Sequence, residues 1–75
     1  MSTLDLDVQM DALERRWRRA HESATGARAE FDSVRSVHGA NSVATRAAER
    51  AWRDAERRKQ EVLAEIELLE DQSID

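Results

Sequence analysis

Seventy-five residues, 37% of them charged and 4% aromatic, allow one small domain with little bulky apolar matter for a core. With no cysteine a disulfide framework is excluded, so a domain this thin needs a metal or a partner chain instead. Two glycines, no proline and abundant alanine, arginine, glutamate and leucine predict long helices or coiled coil rather than disorder, although the formal net charge is −4.

The opening segment, MSTLDLDVQM, has neither the basic nor the apolar region of a secretory signal, and no apolar run approaches membrane-spanning length. The expectation is a soluble, cytoplasmic protein with no membrane partner. From Leu6 the apolar residues recur at alternating spacings of four and three: Leu6, Met10, Leu13, Trp17, Ala20, Ala24, Ala27, Phe31, Val34 and then His38. That is a 3.5-residue period, with Met10, Trp17, Ala24 and Phe31 at heptad position a. It predicts a first helix over about 4–38, roughly 50 Å long at 1.5 Å per residue.

The stripe ends at SVRSVHGANSVATR, residues 33–46. Arg35 and His38 place cations in the last turn of the helix, where its dipole favours them. Gly39 supplies the left-handed conformation that ends helices, and Asn41 or Ser42 can cap the next one. A turn over 39–41 follows, with a second helix over about 42–71. Its own stripe is Ala48, Trp52, Ala55, Lys59, Val62, Ile66 and Leu69.

Folding the second stripe back on the first pairs residues whose numbers sum to 79, so that Phe31 meets Ala48, Ala24 meets Ala55 and Leu13 meets Ile66. Large residues then face small ones, which interdigitating layers require. Ala20 opposite Lys59 is the awkward layer, since a cation at an a position specifies register at a cost in stability. Flanking charges are expected to bridge the helices at Arg28–Glu49, His21–Glu56 and Arg16–Glu65. Along single helices, ion pairs are expected at Asp11–Arg15, Glu14–Arg18, Glu49–Arg53 and Asp54–Arg58. The predicted fold is all-α: an antiparallel two-helix coiled-coil hairpin spanning 1–75, dimerising into a four-helix bundle.

Charge is distributed unevenly along such a hairpin. Residues 1–14 and 61–75 together hold ten carboxylates and no base, so one end of the rod is an acidic pole. The shaft between them, 15–60, holds all twelve bases. Its densest part is an arginine patch of Arg15, Arg16, Arg18, Arg19, Arg57 and Arg58, suited to an anionic partner such as nucleic acid.

Catalysis needs polar groups converging in a cavity, which two helices scarcely enclose. The Glu-x-x-His spacing of di-metal bundles is absent, because Arg18 and Arg35 stand three residues before His21 and His38. No catalytic residue, metal ligand or cofactor site is therefore predicted, and the chain is expected not to be an enzyme. Leu4, Val8, Leu63 and Leu68 fall off the stripe near the acidic pole and are read as a surface for a partner helix. The expected function is that of a non-enzymatic adaptor or small chaperone-like subunit acting through helix packing and self-association. The alternative is a nucleic-acid-binding hairpin dimer.

Overall fold

The structure, a computed structural model, describes residues 3–72, and side chains from residue 5 to residue 72. Two helices, α1 (Thr3–His38) and α2 (Val43–Gln72), pack against each other as a hairpin, with no strand among the described residues. The hairpin is a rod with principal extents of 53 × 15 × 12 Å. α1 runs unbroken through Gly26, which is exposed and faces away from α2.

Both predicted stop signals operate at the turn. Gly39 has φ +84°, and its N–H donates to the Arg35 carbonyl at 2.9 Å, closing the end of α1 in the left-handed manner. Of the two candidate caps, Ser42 is the one used, so the turn extends to residue 42 and α2 begins one residue later than the sequence suggests. Its Oγ accepts the Thr45 N–H at 3.0 Å, and its carbonyl accepts the Arg46 N–H at 3.1 Å.

Thr45, absent from the predicted seam, completes this junction. It is buried, its Oγ1 donates to the Gly39 carbonyl at 2.6 Å, and the same oxygen lies 2.7 Å from Ser42 Oγ. One hydroxyl thus ties the exit of α1 to the entry of α2. Thr45→Val keeps the volume but removes the 2.6 Å bond to the Gly39 carbonyl, leaving that oxygen only the 3.5 Å contact from Ser42 Oγ. A loss of about 1–2 kcal/mol is expected, read as a lower urea midpoint at constant slope.

The predicted stripes are the ones that turn inward. Ala24 and Phe31 on α1, with Ala55, Val62 and Leu69 on α2, are buried. Leu6, Met10, Leu13, Trp17, Ala20, Ala27 and Val34 face the seam half-buried, as do Ala48, Trp52, Lys59 and Ile66 from α2. The seam stops at Val34, because His38 at the turn is exposed.

Two polar groups sit uneasily in this seam. The Trp17 indole N–H is buried without a hydrogen-bond partner among the described residues. Lys59, its side chain only 19% exposed, answers to Glu56 on its own helix at 3.5 Å. Replacing Lys59 with Met is expected to stabilise the fold by about 1–2 kcal/mol, since a part-buried cation gives way to apolar packing. The accompanying loss of register specificity should appear as broadened or doubled amide resonances in a heteronuclear NMR spectrum.

Of the three predicted bridges between helices, Arg16–Glu65 forms, at 3.0 Å. Arg28 instead pairs with Asp32 at 3.4 Å, Glu49 with Arg53 at 2.8 Å, and Glu56 with Lys59. His21 stacks on Trp17, with ring centroids 5.0 Å apart. The reason lies in the tilt of side chains toward their own helix N-terminus. In an antiparallel pair that tilt is opposite on the two helices. Residues whose numbers sum to 81 or 83, such as Arg16–Glu65 and the stacked pair Phe31–Trp52, lean toward each other. Arg28–Glu49 and His21–Glu56 sum to 77, so their ends lean apart.

Candidate interaction surfaces

The seam has two flanks of different chemistry. One carries the heptad e positions, among them His21, Arg28, Arg35, Glu49, Glu56 and Leu63. In its turn-proximal half, Phe31 and Trp52 stack at 5.7 Å with ring planes 11° apart. Guanidinium carbons cover them: Arg28 lies 4.6 Å from the Trp52 ring centre, and Arg35 lies 5.3 Å from that of Phe31. Arg53 approaches Trp52 at 6.0 Å. Half-exposed guanidinium groups over ring faces are worth about 0.5–1 kcal/mol each, and together they cover the rings on this flank.

The opposite flank is open. Gln9, Ala12, Leu13 and Arg16 of α1 and Glu65, Leu68, Leu69 and Gln72 of α2 line a shallow groove of about 390 Å³. Its floor is Leu13 and Leu69 from the seam, and Leu68 rises beside it, 61% exposed. Farther toward the turn, the same flank presents Ala44, Ala47 and Ala51, all exposed, and Val37.

Of the four residues read as one partner-binding surface, the three whose side chains are described do not share one face. Leu68 lines the groove, whereas Leu63 is half-buried on the other flank. Val8 is exposed at a heptad f position, on the back of α1. Leu4 lies outside the described side chains. The groove itself, and the roles of Gln9, Ala12 and Gln72 as its walls, were not anticipated. Their common signal is the set of uncharged c and g positions around Leu13 and Leu69.

The arginine patch divides in a similar way. Arg15, Arg16, Arg18 and Arg19 surround Ala12 and Glu22 in an open cleft of about 570 Å³ on the outside of α1. Arg16 is engaged by Glu65, and Arg57 by Asp54 at 3.5 Å. Arg57 therefore takes the carboxylate expected to bind Arg58. Arg15, Arg18, Arg19 and Arg58 have no carboxylate within 4.0 Å among the described residues; the expected Asp11–Arg15 and Glu14–Arg18 pairs do not form. Apart from Lys59–Glu56, whose lysine is part-buried, the ion pairs seen are on the surface and worth about 0–1 kcal/mol apiece.

No described helix is long and apolar enough to cross a membrane. Among the described residues, no three His, Asp or Glu side chains are placed to hold a metal ion. The chain matches no family model, and neither the curated proteins nor the solved structures yield a match.

Proposed function

We propose that this chain is a non-enzymatic interaction module, an adaptor or small chaperone-like subunit, acting through helix–helix packing and self-association. One observation carries the reading: the buried apolar core of the described residues is Ala24, Phe31, Ala55, Val62 and Leu69, two of them alanines. Burial contributes roughly 25 cal/mol per Å² of apolar surface, and a hairpin with one seam removes too little to offset the ordering of its backbone. Meanwhile Leu68 is 61% exposed, Val8 63%, Val37 76% and Val43 80%. The apolar area missing from the core is on the surface, which is the distribution of a subunit. A four-helix bundle of two hairpins is the simplest structure that would cover Leu68 and Val37, which share a flank.

The test replaces Leu63 and Leu68 together with serine, altering both flanks at once. The reading predicts that light scattering will report a fall from dimer to monomer mass, with helicity by circular dichroism falling at low protein concentration. Unchanged mass and unchanged helicity would refute it.

A second reading is supported by Arg15, Arg18 and Arg19 beside the open cleft on α1, which have no carboxylate partner among the described residues. Arginines without carboxylate partners are free to neutralise phosphates, and binding of that kind falls steeply with salt. Fluorescence anisotropy with a labelled oligonucleotide at low and high salt would decide it; no binding at micromolar protein in low salt would remove it.

A further inference from the structure

We infer that the groove at the acidic pole receives the alanine-rich stretch of α2 from a second copy of the chain, the two rods lying side by side and end for end. This rests on the proposed self-association and adds the face, the direction and the register.

The argument begins with levels along the rod. With residues whose numbers sum to 79 at one level and a rise of 1.5 Å per residue, Leu68 lies about 12 Å from the level of Thr3, where α1 begins, and Ala51 lies about 37 Å from it. These distances add to about 50 Å, close to the 53 Å length of the rod. Inverting one copy on another therefore brings Ala51 opposite Leu68 of the partner copy. By the same register, Ala47 meets Gln72, and Arg58 meets Glu61. All of these occupy heptad c or g positions, on the flank that holds the groove.

Size and charge both agree with this arrangement. Leu68, the large exposed side chain beside the groove, meets a surface of small side chains, the pairing that lets two helices approach closely. Arg58, which has no carboxylate within 4.0 Å among the described residues of its own chain, gains Glu61. One level is like-charged, Asp54 opposite Glu65, but these carboxylates are already engaged by Arg57 and Arg16. The larger pattern is that each acidic pole lies along a partner's basic shaft, whereas a parallel dimer would set pole against pole. Because the contact is isologous, both ends of the interface form at once. A strip 53 Å long and 12 Å wide gives about 600 Å² from each copy, enough to clear the ~1,000 Å² total of a specific interface. The opposite flank, where guanidiniums already cover the rings, has less to gain.

The chain has no cysteine, so single cysteines report geometry cleanly. Ala51→Cys and Leu68→Cys variants are prepared separately, and mild oxidation follows, alone and in equimolar mixture. Both positions are exposed, and circular dichroism checks their folding; Ala47→Cys with Gln72→Cys provides an independent second pair. The mixture should give a covalent dimer at least tenfold more abundant than in either variant alone. Self-crosslinking of Leu68→Cys would mean a parallel dimer, and a dimer by light scattering with no crosslink in either pair would mean another face. Each of those results overturns this arrangement while leaving self-association standing. A monomer by light scattering at the highest soluble concentration overturns both.

Discussion

Phe31→Ala is expected to abolish the fold of the isolated hairpin, through a loss of about 3–5 kcal/mol. Phe31 is the largest of the five buried apolar side chains, and its ring touches more than the seam. It stacks on Trp52 at 5.7 Å, and Arg35 and Arg28 rest on the pair at 5.3 Å and 4.6 Å. Removing it opens a cavity, cancels the ring–ring contact and takes the ring face from under Arg28 and Arg35. Small domains hold only a few kcal/mol in reserve, so the loss is of the same size as the whole stability. Far-ultraviolet circular dichroism at micromolar protein should show most of the helical signal gone at 25 °C. Phe31→Leu, which keeps most of the volume, should cost less than about half as much. If Phe31→Ala remained as helical and as resistant to urea as the parent, the aromatic stack would not be holding the hairpin shut.

The second large effect concerns size at the narrowest layer. Ala24 and Ala55 are both buried, one on each helix, and the residue numbers place them opposite each other. Ala24→Leu must either push the helices apart or leave its rotamer well, at about 1–3 kcal/mol. The same applies to Ala55→Leu. If the two share one layer, the double variant will not show the sum of the single losses, because the first leucine has already spread the helices. A coupling of more than about 0.5 kcal/mol in the double-mutant cycle is expected, measured by urea unfolding. Strict additivity would mean that the two alanines occupy different layers.

The parts of the fold written in side-chain period were legible in the sequence. A 3.5-residue repeat identifies the inward face whatever the neighbours do, so Leu6 through Val34 and Ala48 through Leu69 turned inward as read. Gly39 and Ser42 were legible for a different reason: each meets a local backbone need. What escaped was everything that depends on where a side chain ends rather than where it starts. Arg28–Glu49 and His21–Glu56 are neighbours on a wheel diagram, but the tilt of the Cα–Cβ bonds sends their ends in opposite directions. Thr45 escaped because its role is a hydroxyl shared among Ser42 and Gly39, legible only as the Ser-x-x-Thr spacing at the start of α2. The groove escaped because the leftover leucines were grouped by distance along the chain. Leu63, Leu68 and Val8 stand at three different heptad positions, e, c and f, so one helical pole spreads them around its circumference.

The two halves of the hairpin are held by unequal means, and this has a mechanical consequence. Near Gly39 lie the stacked rings, their guanidinium covers and the shared hydroxyl of Thr45. At the other end the carboxylates of Glu67, Glu70 and Asp71 sit at the tail of α2, where the helix dipole disfavours them. The hinge end is therefore expected to exchange its amide hydrogens more slowly than the tip, which the Arg16–Glu65 pair and buried Leu69 hold. Opening at the tip would bare Met10, Leu13, Ile66 and Leu69 while the hinge stays clasped.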